Sequence, residues 1–114
     1  MIPYVPERGD VVWLTFTPQA GHEQAGRRPA VVRSPSAYNR RVGLALFCPI
    51  TNQQKGYPFE VVLPEDVGVT GVILADQVKN LDWRSRNAVF LATLPATVIT
   101  DVLHKLLTLV SVSS

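Results

Sequence analysis

The residues with the clearest chemical potential lie in a short segment between Gly21 and Gly26 and in the arginine pair that follows it. Glu23 can act as a general base if it reaches a substrate hydroxyl. Arg28 offers a planar, permanently charged fork of donors that suits a phosphate. Together the two groups suit phosphodiester chemistry. They also suit a plain surface salt bridge across a hairpin loop, worth ~0–1 kcal/mol, and the spacing alone leaves both interpretations open.

The elements that must position this segment are predicted to be mainly β. Apolar runs separated by turn residues predict strands at 11–14, 30–32, 44–50, 59–63, 72–74 and 88–91. Their regular spacing is typical of a small barrel. Short helical turns are expected at 36–39 and near 82–84.

The pattern changes after Pro95, a residue that is tolerated in a first helical turn. Apolar residues then recur every three or four positions, which predicts an amphipathic helix. Its apolar set is Val98, Ile99, Val102, Leu103, Leu106, Leu107 and Val110. Asp101, His104, Lys105 and Thr108 fall on the solvent face, so we expect His104 to be a surface residue without a catalytic role.

Length and composition predict one domain covering residues 1–114, because 114 residues with 46% hydrophobic content can bury a sizeable core. The single cysteine, Cys48, excludes an internal disulfide and is expected to pack as a small hydrophobe. No apolar run approaches the ~20 residues of a membrane span, and the N-terminus lacks a signal-peptide pattern. We therefore expect a cytoplasmic protein with no membrane contact.

The net charge of +2 permits a nucleic-acid partner without requiring one. The distribution of charge says more, since most basic residues fall in or beside predicted loops and strand ends. They are Arg27, Arg28, Arg33, Arg40, Arg41, Lys55, Lys79, Arg84 and Arg86. We expect a folded barrel to collect them into one basic groove.

Other classes of site find little support. His22 and His104 are far apart and one cysteine cannot build a structural zinc site, so no metal or cofactor is expected. Polar clusters at 51–55 and 75–79 each end a strand and can contact phosphates or base edges, although a capped turn also explains the first. Stacking faces can come from Trp13, Phe16, Tyr57, Phe59 and Trp83. Most of these aromatics should be core, with one or two at the surface.

Several segments together carry a family resemblance: GDVVW at 9–13, EQAGRRPAVV at 23–32, KGYPFEV at 55–61 and ADQVK at 75–79. Over essentially its whole length the chain resembles the MazF/PemK/Kid toxins, in the MazF branch of that family. The resemblance implies a compact SH3-like β-barrel with a C-terminal helix, assembling as a homodimer. It also implies the toxin of a type II toxin-antitoxin system, a sequence-specific, metal-independent endoribonuclease that cuts single-stranded mRNA and arrests translation.

In such enzymes the ribose 2′-OH attacks the adjacent phosphate and leaves a 2′,3′-cyclic phosphate and a 5′-OH. The family's arginine and strand-end threonine map to Arg28 and Thr51, and Glu23 matches the acidic residue of the MazF branch. We assign Arg28 to neutralising the phosphate and protonating the leaving oxygen, and Thr51 to donating to the developing negative charge. Glu23 is the candidate base, with Asp76 in reserve. His22 stands where relatives often carry a small residue and is treated as a bystander.

Substrate contacts are expected from two groups of side chains. Base selection is assigned to Phe16, Gln24, Asn52, Gln53, Lys55 and Gln77, and further RNA contacts to Arg27, Asp76 and Lys79. The resemblance also implies a MazE-like antitoxin whose disordered acidic C-terminal tail folds onto the toxin dimer, so we expect it to compete with RNA. Operator DNA would be reached only through the antitoxin complex.

Two rival functions remain. Some toxins of this fold poison DNA gyrase by binding, and Glu23, Arg28 and Thr51 argue against that role here. The other rival is an RNA- or protein-binding module without catalysis, which retained RNA binding without cleavage would favour.

Overall fold

The computed structural model describes residues 3–16 and 26–111 of the chain. These residues form seven strands and two helices. In chain order they are β1 (Asp10–Phe16), β2 (Gly26–Val32), α1 (Ser36–Val42), β3 (Leu44–Thr51), β4 (Glu60–Val62), β5 (Val72–Leu74), β6 (Lys79–Asp82), β7 (Val89–Thr93) and α2 (Ala96–Val110).

Strand β3 is the central element of the antiparallel sheet, whose order is β4-β5-β3-β2-β1-β7 with β6 also paired to β3. One edge of β3 pairs with β2. The other edge pairs with β6 from Leu44 to Phe47 and with β5 at Ile50 and Thr51. The first and last residues of β3 therefore have different neighbours, and at ~3.3 Å per residue they lie ~23 Å apart.

The central strands β1, β2 and β3 carry apolar residues on both faces because each face of the curved sheet covers its own core. Alternate residues of β1 show this, since Val11 packs in a cluster with Val98 and Val102 of α2. Its neighbour Val12 packs in a second cluster that contains Trp83. Cys48 is fully buried in the first cluster, as expected of a small hydrophobe. The predicted mainly β, SH3-like barrel fold with a C-terminal helix is confirmed.

Two predicted elements differ from the structure. Residues 79–82 form β6, a strand that the sequence did not predict because Lys79, Asn80 and Asp82 interrupt its apolar pattern. The helical turn expected near 82–84 is instead a turn closed by the Asp82 side chain, whose Oδ1 accepts the backbone N–H groups of Arg84 and Ser85 at 3.1 and 3.0 Å. The helix expected at 36–39 is present and extends to Val42, where Gly43 caps it in the left-handed region at φ 79°.

Helix α2 is amphipathic, but less of its apolar face is covered than its period predicts. Val98 and Val102 are buried. Leu103, Leu107 and Val110 were predicted on the buried face and are 42%, 40% and 63% exposed. The first turns of the helix cover the sheet, while the later turns extend past it. In residues 3–16 and 26–111 there is no helix with the length and hydropathy needed to traverse a bilayer.

Candidate active site at the end of β3

Strand register brings two of the predicted catalytic residues to neighbouring strand ends. The β2–β3 ladder pairs Ala30 with Pro49. Two residues further along each strand, and so on the same face, come Arg28 and Thr51. Arg28 is half-buried and is engaged in an interaction with its surroundings. If the ladder is continued in the same register, Arg28 near the start of β2 lies opposite Thr51 at the end of β3.

Thr51 is held in place by its neighbours along the backbone. Its side-chain oxygen accepts the backbone N–H of Gln53 at 3.2 Å, which leaves its own O–H free to donate. Gly71, at φ +117°, packs so closely that an added Cβ would collide with the carbonyl oxygen of Thr51 and lie 3.0 Å from Asn52 Oδ1. Asn52 Oδ1 also accepts the Thr70 hydroxyl at 3.1 Å. These contacts fix the conformation of the strand end.

The loop that follows is organised by one carboxylate. Glu60 accepts the backbone N–H groups of Lys55, Gly56 and Tyr57 at 3.0–3.3 Å. These hydrogen bonds hold the turn closed. The exposed Lys55 side chain therefore projects from a fixed backbone. Glu60 thus acts on the site by positioning the loop.

A second carboxylate joins this loop to the segment after β5. The Tyr57 hydroxyl donates to Asp76 Oδ2 at 2.6 Å, and this hydrogen bond raises the pKa of Tyr57. The other oxygen, Asp76 Oδ1, is buried and accepts no hydrogen bond within the part of the chain that is described. Asp76 therefore has one engaged oxygen and one with unused acceptor capacity beside the loop.

The other predicted RNA contacts are distributed as follows. Asn52 and Gln53 are exposed, and Gln77 and Lys79 are half-buried and engaged in contacts of their own. Lys79 pairs with Phe47 on β3. Glu23, Gln24 and His22 lie outside the described residues.

The structure gives Arg27 a different role from the predicted RNA contact. Its guanidinium donates to Thr15 Oγ1 at 2.8 Å, to the Arg86 carbonyl at 3.3 Å and to the Asn87 carbonyl at 2.8 Å. These bonds tie β1 and β2 to the 86–87 turn. Because its donors are used within the fold, Arg27 is a structural residue in this conformation.

Phe16 is also not presented to a ligand. It is 2% exposed and packs in the cluster that contains Trp83, so no stacking face of Phe16 is available in this structure. Trp13 and Tyr57, at 37% and 45% exposed, are the aromatics with accessible faces among the five considered. The expectation of one or two surface aromatics is confirmed.

The expected single basic groove is wrong, because the basic residues separate into different environments. Arg33 is 8% exposed, and burial lowers its pKa. Arg40 and Arg41 are exposed on α1, which leads into the first residue of β3, whereas Arg28 lies beside its last residue. Opposite ends of β3 therefore carry separate basic surfaces.

Three residues that matter here were missed or given other roles by sequence reasoning. Gly71 was interpreted as a turn residue between strands, Glu60 as a strand residue and Tyr57 as a stacking face. A carboxylate three residues after a Gly-Tyr pair is a signal for a closed turn that could have identified Glu60. The close approach of Gly71 to Thr51 depends on strand pairing and has no local signal.

Comparison with known proteins identifies the family of the chain. Residues 7–110 match the model of the PemK-like, MazF-like toxins of type II toxin-antitoxin systems. The chain belongs to this family. The curated endoribonuclease toxin MazF of Escherichia coli (strain K12) is 56% identical over 85 residues, which cover 75% of this chain and 76% of that protein.

Solved structures of this toxin family also resemble the chain. The crystal structure of MazF (Form-I) from Deinococcus radiodurans matches with a TM-score of 0.92 and 58% identity, over 96% of this chain and all of that one. A MazE-MazF crystal structure (Form-II) from the same organism matches with a TM-score of 0.88 and 58% identity, over 97% of this chain and 100% of that chain.

Across residues 3–16 and 26–111, no three His, Cys, Asp or Glu residues cluster closely enough to hold an ion. The described candidates are Arg28 near the start of β2, the Thr51 hydroxyl at the end of β3, and Asp76 after β5, whose buried Oδ1 has no hydrogen-bond partner among the described residues.

Proposed function

We propose that this toxin is a cytoplasmic, metal-independent endoribonuclease that cuts single-stranded mRNA at a short sequence. The observation that supports the proposal is the β2–β3 ladder, which pairs Ala30 with Pro49, each two residues from the proposed catalytic residues Arg28 and Thr51. Family membership and the 56% identity to an endoribonuclease toxin support it. No cofactor takes part in the proposed reaction.

The reaction is an internal transesterification. The 2′-OH oxygen bonds to phosphorus and the bond from phosphorus to the 5′ oxygen breaks. The 2′-OH proton goes to Glu23, with Asp76 as the reserve base. Arg28 donates a proton to the leaving 5′ oxygen, so the products are a 2′,3′-cyclic phosphate and a 5′-OH. Exchange with solvent then returns a proton to Arg28 and removes one from Glu23. Arg28 and Thr51 donate to the phosphate oxygens as negative charge develops.

RNA binding is assigned to the exposed side chains around this centre. Asn52, Gln53 and Lys55 lie on the loop that Glu60 closes. Gln77 and Asp76 lie on the segment after β5, which follows a strand paired with the end of β3. Gln24 and Lys79 complete the proposed contacts. The exposed face of Tyr57 can stack on a base.

The proposed assembly is a homodimer controlled by an acidic antitoxin. Large apolar residues are exposed on the later turns of α2, where Leu109 is 53% and Val110 63% exposed. Contiguous exposed apolar surface of this kind is typical of an interface. A MazE-like antitoxin tail would compete with RNA, which simultaneous tight binding of both would disprove. Operator DNA would be bound only through the antitoxin complex.

The decisive experiment is cleavage of a long defined RNA by purified, antitoxin-free protein in excess EDTA. We expect cuts at one short sequence with 5′-OH and cyclic phosphate ends, and loss of cutting in Arg28→Ala. Arg41→Ala is the matched control, since Arg41 is an exposed arginine on α1. It should cut like the wild type.

The same experiment separates the rival functions. Folded protein that binds the RNA without cutting it would indicate a binding module. Protein that neither binds nor cuts RNA but inhibits gyrase supercoiling would indicate the gyrase-poisoning role. Equal cleavage by Arg28→Ala and wild type would contradict the proposed site.

A further inference from the structure

A cavity of about 370 Å³ lies away from Thr51, at the other end of β3. It is lined by Pro3, Val5, Trp83, Arg40 and Arg84. We call it the Trp83 pocket. Asp82, which precedes Trp83, pairs with Leu44 at the start of β3. Seven residues of extended strand, ~23 Å, therefore separate this end from Thr51.

The walls of the Trp83 pocket are fixed by buried hydrogen bonds. Trp83 Nε1 donates to the Asn39 carbonyl at 3.0 Å. Asn39 is fully buried, and its Nδ2 donates to the carbonyls of Pro6 and Ser34 at 2.8 and 3.0 Å. These bonds join α1, the N-terminal segment and the 82–88 turn around the cavity. A pocket held in this way is formed before any ligand arrives.

The rim of the Trp83 pocket is positively charged. Arg84 is exposed, and its guanidinium lies 4.7 Å from the centre of the Trp83 ring. Arg40 is exposed in the last turn of α1. The nearby Asp82 carboxylate is directed to the backbone N–H groups of Arg84 and Ser85. The pocket thus combines an apolar interior with two guanidinium groups that suit carboxylates.

A nucleobase fits this pocket less well than a peptide side chain. The strongest contact for a base would be stacking on Trp83. That ring is only 6% exposed, and the Arg84 guanidinium lies over it. An aliphatic or aromatic side chain can enter the apolar interior beside Pro3 and Val5 while flanking carboxylates reach the arginines.

We propose that the Trp83 pocket binds an acidic, apolar-containing segment of the antitoxin at a position separate from the cleavage site. One apolar side chain fills the cavity, and neighbouring carboxylates pair with Arg40 and Arg84. This rests on the proposed function only for the identity of the partner. If the antitoxin binds in this pocket, it has a binding site on the toxin that bound RNA does not occupy.

The test uses a fluorescently labelled synthetic peptide of alternating glutamate and leucine residues with one tryptophan, titrated with the purified protein. We expect binding to the wild type, weakened on the order of tenfold by Arg40→Ala or Arg84→Ala through the loss of a charge-assisted contact. Val5→Phe, which fills the cavity, should weaken it as well. Arg41→Ala is the matched control, since Arg41 is on α1 but does not line the pocket. A peptide with lysine in place of glutamate should not bind.

A second measurement separates this proposal from the proposed function. The rate of RNA cleavage by Arg84→Ala should equal that of the wild type, and an uncleavable RNA should not displace the peptide. Equal peptide affinity in all variants, or no binding to the wild type, would overturn the proposal and leave the ribonuclease assignment untouched. Slower cleavage of long RNA by Arg84→Ala, with peptide binding unchanged, would overturn it in favour of an RNA-flank contact.

Discussion

The two ends of β3 carry surfaces of different construction. At the Thr51 end, a backbone contact from Gly71 and the Glu60 carboxylate hold polar groups in a loop-rich site. At the Leu44 end, Trp83 and the buried Asn39 shape an apolar cavity with arginines at its rim. Fixed polar groups suit the stabilisation of developing charge, whereas a preformed apolar cavity suits recognition of a side chain. The surface proposed for RNA cleavage and the pocket proposed for antitoxin binding therefore lie at opposite ends of one strand.

The largest expected effect concerns the arginine at the Thr51 end. Arg28→Lys keeps the charge but loses the planar fork, so we expect cleavage to fall about 10²-fold or more. Single-turnover cleavage at saturating enzyme would measure it. Arg41→Lys, at the other end of β3, should leave the rate unchanged. Near-native cleavage by Arg28→Lys would show that Arg28 acts as a simple positive charge.

Gly71 and Gly43 make a matched pair of glycines near the two ends. Both have positive φ, at +117° and +79°, but an added Cβ meets the Thr51 carbonyl at Gly71 and open space at Gly43. Gly71→Ala should destabilise the fold by about 3 kcal/mol and also slow cleavage, since Thr51 must move. Gly43→Ala should cost about 1 kcal/mol and leave cleavage unchanged. Urea unfolding measures the loss of stability. Equal losses of stability in the two variants would contradict the close approach of Gly71 to Thr51.

A smaller effect is expected at Glu60. Glu60→Gln removes the charge that accepts three backbone N–H groups, so the loop carrying Lys55 should loosen. Because Glu60 positions the loop and does not touch the reacting atoms, KM should rise on the order of tenfold while kcat changes little. Glu65→Gln, at an exposed acid outside this loop, is the control. A fall in kcat at constant KM would place Glu60 in the chemistry.

The location of the proposed catalytic residues Arg28 and Thr51 near neighbouring strand ends could be predicted, because strand register relates positions at fixed sequence intervals. The resemblance named Arg28 and Thr51, and the alternation of side chains along β2 and β3 places them on one face. Arg27 is one residue away, points to the other face and serves the 86–87 turn. A run of arginines does not say which member faces the ligand, so its role was beyond sequence reasoning.

The other differences between the predicted and the observed structure also depend on contacts between residues distant in the sequence. Phe16 ends a strand next to a loop, and only packing against Trp83 decides that it is buried. The period of α2 identifies an apolar stripe but not how much of it the sheet covers, which is why Leu103 and Leu107 are exposed. The Trp83 pocket joins three distant segments of the chain, so no local pattern could have located it.

Cys48 lies midway along β3, and its ionisation should affect neither RNA cleavage nor peptide binding. It should affect only the stability of the fold, and only in alkali. Burial raises the pKa of its thiol to about 12, against an ordinary value of 9.0. The unfolded chain therefore loses the proton at lower pH than the folded chain does, so stability is fully present below pH 9.0 and falls as pH rises toward 12.

Urea unfolding of wild type and Cys48→Ala, compared below and above pH 9.0, would isolate this contribution from other titrating groups. The difference in unfolding free energy between the two proteins should be constant at the lower values and shrink in alkali. Since the thiol lies in the core cluster and not in either surface, RNA cleavage and peptide binding by Cys48→Ala should match the wild type at neutral pH. A pH-independent difference would mean that the thiol ionises as readily in the folded chain as in the unfolded one.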